Sequence, residues 1–145
     1  MFERILLATD GSADAKEALD CAAELALRDQ AQVIVVHAFE PVPSYLGEPM
    51  RDQIVEHHVN QARNLAQDAE EALRSRGVST DVEVLEGPPA EAILRVAETH
   101  QVDLIVMGSR GRGAMTSLLL GSVSHRVLAH AHAPVLILRA RERSA

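Results

Sequence analysis

The chain has 145 residues, 47% of them hydrophobic and 24% charged, which fits one globular domain and leaves no room for two full ones. Its 14 Lys and Arg stand against 21 Asp and Glu, and the resulting net charge of −7 argues against a nucleic-acid partner, whose phosphates demand a basic face. The aromatic side chains are Phe2, Phe39 and Tyr45 alone, so the stacking platform of single-strand binders is missing as well.

No apolar run reaches the roughly 18 to 20 residues of a membrane span, and no basic leader opens the chain. The expected location is the cytoplasm, without membrane insertion. Cys21 is the sole cysteine, which excludes an intramolecular disulfide; in the small-residue run ALDCAAELAL its expected role is packing.

In chain order, residues 3–8 (ERILLA) predict a strand that stops at Thr9-Asp10-Gly11-Ser12, a polar cluster suited to a turn and a helix cap. From Ser12 to about Arg28, Ala15, Ala18, Leu19, Ala22, Ala23, Leu25 and Ala26 recur at helical spacing, with Asp14 and Glu17 near the positive end of the helix dipole. QVIVVHA, from Gln32 to Ala38, is β-branched and apolar, the pattern of a strand covered on both faces. Pro41, Pro43, Gly47 and Pro49 then break regular structure, and a mobile loop is expected over 39–52.

A long helix follows, with its stripe at Ile54, His58, Ala62, Leu65, Ala66, Ala69, Ala72 and Leu73 and its stop at Gly77. Thr80 to Leu85 predicts a third strand, and Gly87-Pro88-Pro89 opens a short helix with Ile93, Leu94 and Ala97 inward. DLIVM, from Asp103 to Met107, is a fourth strand ending at Gly108. A glycine-rich stretch and a last helix, with Val123, Val127, Leu128 and Ala131 on one side, lead to Pro134 and a fifth strand, VLILR. Strands alternating with helices predict an α/β fold: a doubly wound, Rossmann-like, five-stranded parallel sheet of order 3-2-1-4-5 with helices on both faces. One domain spans 1–145, with its core in 1–140 and a polar tail over 140–145. The ligand crevice of such a sheet lies at the carboxyl ends of the strands, where their order reverses.

Three segments leave those strand ends with unusual residues: Thr9 to Ser12, His37-Ala38, and Met107 to Ser122. The last reads MGSRGRGAMTSLLLGS. Its glycines allow backbone N–H groups to face an anion, and Gly121-Ser122 would open a helix whose unpaired donors favour phosphate. Neither G-x-x-x-x-G-K-[ST] nor G-x-G-x-x-G after a strand occurs, so the P-loop and the dinucleotide fingerprint do not apply. Taken alone, the composition fits a surface loop with two solvated arginines equally well.

The histidines suggest no metal cluster. His57 and His58 are adjacent on a helix and point about 100° apart, while His130 and His132 suit the negative end of the last helix. Ser122 and His125 lack a G-x-S-x-G elbow, which argues against a hydrolase triad.

Spacing is more telling. Gly108, Gly111, Gly121 and Ser122 match G-x2-G-x9-G-[ST], and this signature resembles that of the ATP-binding universal stress proteins. ILLATDGS, VVHA, EGPPAEAI, VDLIVMGSRGRG, LLLGSVSHRVL and APVLILR are similar to hallmarks of that family in the same order, across nearly the whole chain.

The resemblance implies ATP, or ADP or AMP, as ligand, with Mg2+ or Mn2+ on the phosphates. Thr9 and Asp10 would lie by the ribose and phosphates. Asp10 would accept from a ribose hydroxyl or help position the divalent ion; its alternative role is to hold the turn. Ala38, where family members often carry valine, and Met107 would meet adenine. Gly108, Gly111, Gly121, Ser122 and Val123 would contact the phosphates, with Arg110 and Arg112 offsetting charge. His37 is similar to the family's usual histidine there and reads as a structural strand-end residue.

The resemblance further implies a cytosolic stress-response or signalling protein that is a homodimer through Val135, Leu136, Ile137 and Leu138, an apolar edge that needs cover. No candidate base with a partner stands out beyond Asp10, so no catalytic residue is assigned and ATP turnover is expected to be absent or very slow. The alternatives are a true ATP-hydrolysing enzyme of the adenine nucleotide α-hydrolase-like fold, whose S-G-G-x-D-S type loop is replaced here by T-D-G-S, and a nucleotide-free interaction module.

Overall fold

The computed structural model describes residues 1–41, 43–110 and 120–140. The strands are β1 (Arg4–Ala8), β2 (Gln32–Phe39), β3 (Thr80–Glu86), β4 (Leu104–Gly108) and β5 (Val135–Leu138); the helices are α1 (Ala13–Asp29), α2 (Met50–Arg74), α3 (Pro89–Thr99) and α4 (Ser122–His130). All strands pair in parallel in one sheet of order β3-β2-β1-β4-β5, the order expected from the sequence.

The two faces divide the apolar runs by parity, as a pleated strand requires. Ile5, Leu7, Val33, Val35, Leu104 and Val106 face one side, where Ala18, Ala22, Ala23 and Ala26 of α1 and Ala69 and Leu73 of α2 cover them. Leu6, Ala8, Ile34, Val36, Ile105 and Met107 face the other, under Ala90, Ile93 and Val96 of α3 and Val127 of α4. Both faces of the inner strands are therefore dry, which explains why β1, β2 and β4 read as unbroken apolar runs rather than alternating ones.

Some boundaries differ from expectation. The strand pairing of β2 extends to Phe39, opposite Glu86, and α2 begins at Met50, so the connection is shorter than 39–52 at both ends. Pro49 stands at the N-cap of α2, where its missing N–H costs no helical bond. Helix α2 ends at Arg74, and Gly77, with φ of +86°, makes the turn towards β3. Leu128, expected inward, is 50% exposed because Val127 takes the buried position and the next residue is rotated about 100° away.

Candidate functional site

β1 is the strand where the order reverses, with β2 on one side and β4 on the other. At the carboxyl ends of these three strands lies a cavity of about 450 Å³. β1 leads into it with Ala8, Thr9 and Asp10, β2 with His37 and Ala38, and β4 with Met107, Gly108, Ser109 and Arg110. The α4 end contributes Gly121, Ser122, Val123 and Ser124, and α3 adds Pro89, expected only to open that helix, and Ile93, expected only to point inward. Thr9, Asp10, Ala38, Met107, Gly108, Arg110, Gly121, Ser122 and Val123 thus come together from four separate stretches of chain. Gly111 and Arg112 lie outside the described residues.

Two helices begin at this cavity, and their ends differ. At α1, Ser12 is the N-cap and its side-chain oxygen accepts from the Ala15 N–H at 3.2 Å, while Asp10 Oδ1 accepts from the Ser12 N–H at 2.9 Å. That end is closed by the protein's own acceptors. At α4 the N-cap is Gly121, which has no side chain to offer, and among the described residues no side chain caps the helix. The first-turn amides of Ser122, Val123 and Ser124 therefore present the donors and the positive dipole end that attract an anion.

The Gly121 N–H itself is engaged, donating to the Ser109 carbonyl at 2.6 Å, and Ser124 Oγ donates to the same oxygen at 2.7 Å. Both bonds bring α4 against the end of β4 and draw together the two ends of the glycine-rich stretch. His37 Nδ1 lies 2.7 Å from the Thr9 carbonyl. A carbonyl only accepts, so this nitrogen carries the proton and ties the β1 turn to β2, the structural role expected of it.

Asp14 was missed as part of this neighbourhood. Its position in the first turn of α1 suggested only a dipole partner, yet its side chain is buried and reaches off its own helix. It accepts from Ser109 Oγ at 2.7 Å, from the Arg110 N–H at 3.1 Å and from the Ala140 N–H at 2.8 Å, with the Arg110 guanidinium 3.9 Å away. Burial pushes this carboxyl up, but the Ala140 amide, the Ser109 hydroxyl, the Arg110 amide and the Arg110 charge outweigh it, and the group lies below the ordinary carboxylate value. Arg110 accordingly faces a carboxylate rather than bulk solvent. Only spacing across distant segments, invisible to local pattern, would have revealed the cluster.

Among the described residues no group of three or more His, Cys, Asp or Glu is placed to hold a metal ion, and no helix is long and apolar enough to cross a membrane.

The same architecture occurs in known proteins. A universal stress protein of Thermus aquaticus is 47% identical over 140 residues, covering 96% of this chain and all of the relative. The solved structure of MJ0577, a universal stress protein of Methanocaldococcus jannaschii, superposes with a TM-score of 0.89 at 29% identity, covering 99% of each chain. A universal stress protein of Archaeoglobus fulgidus, solved in complex with dAMP, shares the fold at 24% identity with a TM-score of 0.69, over 95% of this chain and 98% of its own. The model of the universal stress protein family matches residues 1–139, and with that match and the Thermus relative the chain belongs to the universal stress protein family.

Proposed function

We propose that this protein binds ATP in the cavity at the strand ends and acts as a homodimeric stress-response or signalling protein that hydrolyses ATP very slowly or not at all. The observation that carries this reading is the contrast between the two helix ends: α1 is closed by Ser12 and Asp10, whereas α4 starts at the cavity from Gly121, with no side-chain cap among the described residues. A polyanionic tail is accordingly directed to Ser122 and Val123, with Ser122 Oγ as a further donor.

The apolar wall of Ala8, Ala38, Ile93 and Met107 suits a planar base, and the main chain at Ala38 supplies the polar edge that reads adenine. Gly111 and Arg112 complete the family motif and are assigned to the phosphates with Gly108, Arg110 and Gly121. Mg2+ or Mn2+ would arrive on the phosphates, with Asp10 and Thr9 on that side of the cavity. The Asp10 carboxylate accepts from the Ser12 amide and so also holds the turn into α1.

Calorimetric titration with ATP, ADP and AMP, followed by a phosphate-release assay, tests the reading. Binding with negligible release is expected. Sustained release at about 1 per second or faster would favour the hydrolase alternative, and no binding would leave an interaction module. ATP at 100 times its Kd should add about 2.7 kcal/mol of stability in a thermal unfolding experiment. Gly121→Val is expected to abolish binding by blocking the approach of phosphate to the backbone; φ at this position is −76°, which any residue adopts.

A further inference from the structure

The buried carboxylate of Asp14 has no part in the nucleotide reading so far, and its bonds are not those of a helix cap. Ser12 already caps α1, and each donor to Asp14 comes from a distant part of the chain: Ser109 and Arg110, directly after β4, and Ala140, after β5. Ser109 is fixed at every polar atom. Its N–H donates to the Leu138 carbonyl at 2.8 Å, its hydroxyl donates to Asp14, and its carbonyl accepts from Gly121 and from Ser124. The carboxylate therefore stands behind the residue that draws α4 to the end of β4.

We infer that Asp14 is a positioning residue for the phosphates: by holding Ser109 and Arg110 it sets where the first turn of α4 stands relative to β1, and by holding Ala140 it ties that placement to the end of β5. The inference rests on the nucleotide reading above and deepens it. Its physical basis is geometric. Amides that hold an anion are effective only when already aimed, and a carboxylate with three donors cannot shift without leaving buried donors unsatisfied. The base-binding wall of Ala8, Ala38, Ile93 and Met107 belongs to β1, β2, α3 and β4, none of whose residues donates to Asp14, so loss of Asp14 should weaken the hold on phosphates and spare the hold on the nucleoside.

Titrating the full chain at pH 7 with ATP and with adenosine tests this, using wild type, Asp14→Asn and Ser109→Ala. Asp14→Asn keeps the shape but turns an acceptor into a donor facing other donors. The expected result is ATP affinity lowered by about tenfold with adenosine affinity within about twofold of wild type, the scale of losing one charge-assisted hydrogen bond's worth of alignment. Ser109→Ala, the milder change, should shift the same ratio by about threefold and serves if the Asn variant does not fold. Parallel loss of both ligands, or loss of neither, would overturn the positioning role while leaving the nucleotide reading intact. A wild type that fails to prefer ATP over adenosine would overturn the nucleotide reading, and this inference with it.

Discussion

At Gly108 the space of a side chain is occupied by a neighbouring helix. A Cβ there would stand 2.7 Å from the Asp14 Cβ and 2.9 Å from the Asp14 carbonyl carbon, so the glycine that looks like part of an anion-binding motif also lets α1 approach the end of β4. Gly108→Ala should destabilise the fold by about 1–3 kcal/mol, measurable by urea unfolding, because backbone atoms of α1 must move to admit the methyl group.

Asp14 should be costlier to lose. Asp14→Ala leaves three donors without an acceptor and is expected to cost about 2–4 kcal/mol. Its carboxyl is held below the ordinary value in the folded protein, so its contribution is complete above the unfolded value of about 3.9 and is lost as pH falls through the folded one. The stability gap between wild type and Asp14→Asn should therefore be flat from about pH 6 to 8 and narrow below about pH 4. A gap that widened in acid would contradict the assignment. At this scale the sequence was informative about residues whose role is local, such as Ser12 as a cap and His37 as a strand-end tie. It was silent on Asp14, whose three donors lie about 100 residues away or more in the chain.

Among the elements, α2 is the least uniformly supported. Its buried positions, Ala62, Ala66, Ala69 and Leu73, run from the midpoint to the C-terminal end, whereas Met50 is exposed and the Pro49 N-cap offers no side-chain acceptor. Amides of 53–58 should exchange with solvent faster than those of 66–73 in native-state hydrogen exchange, and equal protection would count against this gradient. Elements with one dominant signal were readable: the β-branched run of β2, the alanine stripe of α1 and the Gly-Pro-Pro start of α3. Ends and orientations were less so. The last residue of β2 is fixed by pairing with Glu86 rather than by its own preference, and the outward turn of Leu128 follows from which α4 residue meets the sheet. The glycine start of α4 could be anticipated from Gly121, and the capped start of α1 from the Thr9-Asp10-Gly11-Ser12 cluster.

For the molecule as a whole, the alternation of strands and helices with right-handed crossovers gives a parallel sheet, and the observed order, which reverses at β1, places the cavity there. The outer strand β5 is only half-buried at Val135, Leu136, Ile137 and Leu138, although all four are apolar. Pairing with the same strand of a second copy would cover that edge. Sedimentation at micromolar concentration should then give twice the 15.7 kDa of one chain; a monomer under these conditions would exclude the proposed dimer.

The central claim is that the open start of α4 holds the phosphates, and the amide resonances of Ser122, Val123 and Ser124 report on it most directly. In a nuclear magnetic resonance titration, ATP should shift these three signals saturably while adenosine leaves them in place and shifts those around Ala38. Shifts confined to the first turn of α1, or the same response to both ligands, would contradict the account.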